Sequence, residues 1–159
     1  MLKKWTVCIA LLAVVTVVVA VVHLNNQEKI ECMKILQEER EIAVSFVDLE
    51  RGSFSGALID GKGDVTIHEY TGILLRELLE EKGIDPAGIG GVTVTSADNY
   101  RVEFTQEEIL QADKVYVAVT ADGVAIPGID PESDGVQIIV FGDDNSRRCV
   151  RFAQQITVE

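Results

Sequence analysis

Metal-binding and nucleophilic side chains are scarce in this chain. Its 159 residues hold two histidines, His23 and His68, and three cysteines, Cys8, Cys32 and Cys149. No two cysteines form a CxxC pair, which excludes a zinc site built from thiolates and imidazoles. No Gly-x-Ser-x-Gly surrounds Ser53, Ser55, Ser96 or Ser146, so no activated serine is expected. Gly61-Lys62-Gly63-Asp64 lacks the Gly-Lys-Ser/Thr ending of a phosphate-cradling loop. The expectation is no catalytic residue and no metal ligand. No repeat of fixed period is present.

Positive charge is also thin. Lysine and arginine number 14 against 26 aspartates and glutamates, a net charge of −12. Lys3 and Lys4 are the only charged side chains before residue 25, so the remainder carries a net charge of about −14. A surface this acidic argues against binding nucleic acid or anionic lipid headgroups.

One run has no charge at all. Trp5 to Leu24 (WTVCIALLAVVTVVVAVVHL) holds no acid, lysine or arginine. A helix rises about 1.5 Å per residue, so this run matches the roughly 30 Å hydrocarbon core of a bilayer. Lys3 and Lys4 precede it and the first acid after it is Glu28. The positive-inside bias then places the N-terminus in the cytoplasm and the rest of the chain outside. A cleaved signal peptide is the competing reading, with Val18-Val19-Ala20 as a small-residue pattern. Signal-peptide apolar cores run about 7–15 residues, so length favours a retained single-pass anchor. No cysteine follows the run at a lipoprotein-like position, which argues against a lipid anchor. Outside the cell, Cys32 and Cys149 are candidates for one disulfide.

The chain divides into a cytoplasmic tail (1–4), an anchor (5–24), a stalk (25–41) and an exported domain (42–159). The stalk, NNQEKIECMKILQEERE, is Glu- and Lys-rich and free of glycine and proline, and reads as a short helix able to self-associate. Ile42 to Leu49 reads as a strand, and Ala57 to Ile59 as a short one between glycine turns. In Asp64 to Tyr70, Val65 and Ile67 share one face and Thr66 and His68 the other, which makes His68 a surface residue. Thr71 to Lys82 reads as the main helix, capped by Thr71, with a stripe of Leu74, Leu75, Leu78 and Leu79 and an Arg76–Glu80 pair. Gly91 to Ala97 and Tyr100 to Phe104 read as a hairpin about Asp98-Asn99. Thr105 to Glu108 is a capping box opening a helix through Leu110. Lys114 to Thr120, Val136 to Phe141 and Ala153 to Val158 read as strands, with Ala121-Asp122-Gly123 a tight turn. The fold class expected is α+β, a mixed sheet with one main and one short helix.

Two clusters invite a ligand. Asp130 to Gly135 echoes the start of a calcium loop, but its twelfth position is Phe141, where a bidentate carboxylate is required. Arg147, Arg148 and Arg151 are the one basic cluster outside the anchor and suit an anion or pterin-like group. Neutralising Asp143 and Asp144 is the plainer role for them.

From Tyr70 onward the order of segments resembles the sulfite-oxidase-type molybdopterin-binding domain family. YTGILLRELLEEKGID is similar to its aromatic-x-Gly helix, SADNYRVEFTQEEILQAD to its hairpin and capped helix, and VYVAVTADGVAIP to its strand and Asp-Gly turn. GVQIIVFGDD and CVRFAQQITV are similar to its closing strands. The resemblance implies molybdopterin as cofactor and, as cofactor-binding residues here, Arg147, Arg148 and Arg151 with His68. The chain departs from the pattern where the metal is held. Phe54 to Glu69 contains no cysteine for the molybdenum, and Asp134-Gly135-Val136-Gln137 stands where the family has Gly-Pro-x-Arg. The reading is therefore a retained fold without the metallocofactor. Its role would be a non-catalytic binding or interaction module for an extracytoplasmic protein partner; the alternatives are a molybdopterin-dependent redox protein with atypical ligands and a structural single-pass membrane protein that self-associates through its stalk.

Overall fold

The computed structural model describes residues 31–130 and 132–159. The anchor and the first part of the stalk lie outside the described residues. Among those described, no helix is long and apolar enough to cross a membrane.

Two five-stranded sheets enclose the core. In the first, the order is β2 (Arg40–Ser45), β1 (Glu31–Gln37), β10 (Ala153–Val158), β5 (Gly91–Ser96) and β6 (Arg101–Thr105). Only β1 and β10 run parallel. In the second, β3 (Gly52–Ile59), β4 (Val65–Leu74), β7 (Val115–Ala121) and β8 (Val124–Ala125) follow in order, and β9 (Gln137–Val140) also pairs with β7. Three short helices join them: α1 (Phe46–Leu49), α2 (Leu75–Glu81) and α3 (Gln106–Leu110). The class is the α+β expected, but the single mixed sheet with one main and one short helix is replaced by two sheets, only the first of them mixed, and three short helices.

Alternation decides which faces are buried. Met33, Ile35, Val92, Val94, Phe104 and Ile156 point from the first sheet into the main core. Val115, Val117 and Val119 of β7 meet them from the second. The residues between, Tyr116 and Ala118, point the other way into a smaller cluster with Tyr70, Ile126 and Ile139. A strand buried on both faces explains why KVYVAVT is nearly continuous in apolar residues.

Three local expectations are corrected. Residues 31–41 are β1 and the start of β2 in a hairpin that runs to Ser45, and not a stalk helix. Met33 and Ile35 bury at a period of two, and β1 pairs on both sides. Core burial there outweighs the helical preference of the Glu- and Lys-rich sequence. The main helix begins at Leu75 and not at Thr71. Thr71 lies inside β4, opposite Ser53 of β3 and Thr120 of β7. Leu75, Leu78 and Leu79 form the buried stripe, while Leu74 packs against the smaller cluster. The strand from Ile42 stops at Ser45, where the Asp48 carboxylate accepts from Ser45 N–H (2.9 Å) and Ser45 Oγ (2.8 Å) and opens a helical turn.

A fourth expectation is corrected as well: Gly52 and Gly56 lie inside β3, paired with Gly72 and His68, and not in turns flanking a short Ala57–Ile59 strand. The capping box and the Arg76–Glu80 pair are as expected. Thr105 Oγ1 accepts from Glu108 N–H at 3.3 Å, and Glu108 accepts from Thr105 N–H at 3.2 Å, closing the capping box. Arg76 and Glu80 meet at 4.0 Å. Cys32 and Cys149 are free thiols. Cys32 Sγ donates to the Val44 carbonyl and Cys149 Sγ accepts from Val140 N–H, so each is engaged with a different strand. The disulfide that the export reading allowed is not formed.

Candidate functional site

The tip of the β3–β4 hairpin faces the β5–β6 turn of the other sheet across a cleft of about 530 Å³. From β4, Thr66, His68 and Tyr70 line it; from the second sheet's turns, Asp60 and Asp122. From across the gap come Asp98, Tyr100, Cys149 and Arg151. The alternation of β4 sends Thr66 and His68 to this side. Val65 and Ile67 go to the outer face, where they are 61% and 72% exposed. The polar residues face the cleft and the apolar ones face solvent, the reverse of an ordinary half-buried strand.

Asp122 organises the second sheet's side. It sits at φ 52° and Gly123 at φ 75°, the left-handed pair that a two-residue hairpin turn requires. The turn aims the carboxylate back at β4. Asp122 Oδ2 lies 2.7 Å from His68 Nδ1, and Oδ1 accepts from Glu69 N–H at 3.0 Å. The His68 hydrogen bond, aided by the Glu69 amide, holds the Asp122 carboxyl below the usual carboxylate range. The Tyr70 ring meets the His68 ring edge-on at 6.0 Å.

Asp98 organises the other wall. It accepts from the buried Ser96 hydroxyl and from Tyr100 N–H, and these bonds lower its pKa. Tyr100 then donates its hydroxyl to the Arg147 carbonyl at 2.8 Å, tying the hairpin to the 3₁₀ turn of Ser146–Arg148. Asp60 at the tip accepts from Lys62 N–H and Asp64 N–H. Cys149 is the one thiol on the wall among the described residues, and burial pushes it up.

Of the four residues expected to bind a cofactor, the cleft brings together His68 and Arg151. Arg147 is exposed and offers its carbonyl to Tyr100. Arg148 points elsewhere. Its guanidinium forks onto Glu108 (Nη1–Oε1 2.6 Å, Nη2–Oε2 2.9 Å), reaches Asp143 at 3.2 Å and stands 4.9 Å over the Phe104 ring. No group of three or more potential ligands among the described residues could hold a metal ion. Sequence reasoning read Asp98 and Asp122 only as turn residues. The one signal for Asp122 was the Asp-Gly turn, which says nothing of His68, 54 positions away.

No family model matches the chain, and no curated protein matches it. Among solved structures that match is the sulfane dehydrogenase SoxCD from Paracoccus pantotrophus, at 19% identity and a TM-score of 0.62. The match covers 82% of this chain and 38% of that one. The chain thus spans well under half the length of the protein it resembles. The likeness supports a distant oxidoreductase-like fold.

Proposed function

We propose that the chain is a single-pass membrane protein whose exported domain keeps an oxidoreductase-like fold as a non-catalytic binding module. Lys3, Lys4 and the uncharged run from Trp5 to Leu24 support the anchor and its orientation. The cleft receives a cationic group, an ammonium or guanidinium, from a ligand or partner outside the membrane.

The observation that carries this reading is the charge of the lining. Asp60, Asp98 and Asp122 stand against one guanidinium, that of Arg151. Tyr100, 47% exposed, adds an aromatic surface beside them. Carboxylates next to an aromatic face favour a cation over an anion.

Molybdopterin, which the family resemblance implies, asks for the opposite. Its phosphate needs fixed donors and positive charge, and its metal needs a thiolate. Here the carboxylates outnumber the cations, and Cys149 is a half-buried thiol with a raised pKa. A metal held in the cleft by a thiolate would have to use Cys149, the one thiol on its wall among the described residues, and burial opposes its ionisation. The residues present do not fit the group.

The test is a pair of titrations of the full-length chain in detergent micelles, followed by backbone amide NMR. Spermidine is expected to shift the Glu69, Tyr100 and Asp122 amides saturably, and Asp122→Asn to weaken that binding roughly two- to fivefold. Inorganic pyrophosphate at matched ionic strength is expected to leave them in place. Saturable pyrophosphate binding without a spermidine response would overturn the reading.

A further inference from the structure

Open sheet edges are managed in this fold with one exception. Edge strand β2 carries Arg40 and Glu41, and edge strand β6 carries exposed Arg101 and Glu103. Strand β8 is two residues long. Strand β9 is met on its outer side by the Ile138–Val150 bridge. Charge, shortness and covering are the ordinary defences against strand addition. Strand β3, GSFSGALI, is eight residues long and has no charged residue and no proline.

The ladder fixes which of its backbone groups are open. Asp60 N–H donates to the Asp64 carbonyl at 2.9 Å, which makes that pair a hydrogen-bonded one. Such pairs alternate, so Leu58–Thr66, Gly56–His68 and Phe54–Tyr70 bond across β3 and β4. The far side of β4 agrees, since Glu69 there bonds to Asp122 of the β7 turn. Ser53, Ser55, Ala57 and Ile59 therefore turn their N–H and C=O groups to the open edge. None of these has a partner among the described residues.

The ground beside the edge is divided. At the hairpin tip, Ala57 and Ile59 lie opposite the exposed Ile67 and Val65, an apolar strip. Toward Phe54 the groove is lined instead by Asp113, Asp143 and Asp144, and Phe54 stacks on Tyr116 at 3.9 Å to form its floor. Asp143 is shared with Lys114 and Arg148, while Asp144 has no partner among the described residues.

We propose that β3 is a docking edge for an extended, basic protein segment, which adds to the sheet as a further strand. Its alternate β-branched residues lie on the strip of Ala57, Ile59, Val65 and Ile67, and its Lys or Arg side chains meet Asp143 and Asp144. Main-chain bonds supply affinity and the alternate side chains supply selection. A second copy of this chain is disfavoured, because pairing two such edges brings like charges together on an already acidic domain. The apolar strip lies on the face of the hairpin opposite the cleft, whereas Phe54 and the aspartates share the cleft's face farther along β3.

The test is fluorescence anisotropy of a labelled peptide, Val-Thr-Val-Lys-Thr-Lys, whose valines and lysines point to opposite faces of the strand, with the full-length chain in micelles. The peptide is expected to bind saturably, and the same peptide with glutamate for lysine about tenfold more weakly. Ser55→Lys, on the exposed face, is expected to reduce binding of the basic peptide about tenfold with an unchanged melting temperature. Ala57→Pro removes one outward N–H and no ladder bond, and is expected to act likewise. Asp122→Asn, which alters the cleft, should leave peptide binding unchanged. Equal binding of the basic and acidic peptides, or no loss in Ser55→Lys, would overturn the proposal. So would a concentration-dependent dimer that Ser55→Lys abolishes, which would assign the edge to a second copy.

Discussion

Gly72→Ala is expected to destabilise the domain by at least about 4 kcal/mol, the range reserved for substitutions that force a core to move. Gly72 follows the irregularity where the β4 register shifts against β7. A Cβ built there falls inside the van der Waals envelope of the Val117 carbonyl oxygen and 2.9 Å from Ala118 Cα. These are backbone atoms of a strand buried on both faces, and they cannot swing aside as a flexible side chain would. Domains of this size are stable by roughly 5–15 kcal/mol, so the variant should be marginal or unfolded. Gly61→Ala is the control. Nothing lies within 4 Å of a Cβ at Gly61, and its effect should stay within about 0.5 kcal/mol. Thermal unfolding followed by circular dichroism reads both. A Gly72→Ala domain as stable as the Gly61→Ala control would mean that β4 and β7 do not approach as described.

Arg148→Ala should be the next most damaging single change, at about 2–3 kcal/mol. The guanidinium joins Glu108 of α3 to Asp143 after β9, donates to the Glu103 carbonyl at 3.1 Å and covers the Phe104 ring. Its removal leaves two carboxylates with Lys114 as their remaining cation, 3.5 Å from Glu108 and 3.8 Å from Asp143. The fork from Arg148 outweighs the opposing effect of burial and lowers Glu108 to about 2, from an ordinary 4.5. A lowered folded-state pKa stabilises above the unfolded value and stops doing so as pH falls through the folded one. Wild type should therefore lose stability between about pH 4.5 and pH 2, and Arg148→Ala should lose less across that window. Arg148→Lys keeps the charge but not the planar fork, and should recover only part of the stability. Denaturant titrations at pH 7 and pH 3 test this. Equal losses in wild type and Arg148→Ala over that interval would detach Glu108 from Arg148.

The parts of the fold legible in the sequence were those specified locally. Thr105 and Glu108 announce a capping box whose bonds are internal to four residues. The hairpin about Asp98-Asn99 alternates because its strands bury one face. The failures share a different cause. Glu31 to Glu41 carries a helical composition, and only pairing of β1 with β10, more than a hundred positions later, makes it a strand. Thr71 and Gly72 look like a helix start until β7 pairs beside them. For the cleft, His68 and Arg151 could be named as ligand-binding candidates, but their surroundings could not. Asp122 reaches His68 across 54 positions, and Arg148 is drawn from the same basic cluster toward Glu108. Val65 and Ile67 mislead in the same way. An apolar face normally points inward, and here it lies beside an open sheet edge.

The central proposal is that this fold serves here without a metallocofactor. Elemental analysis and pterin fluorescence, on the full-length chain purified from its native host without added metal, test it most directly. A folded protein with neither molybdenum, tungsten nor pterin above trace level is the result the account predicts. Stoichiometric metal with a bound pterin would contradict it, and would make the chain a redox protein with an unfamiliar set of ligands.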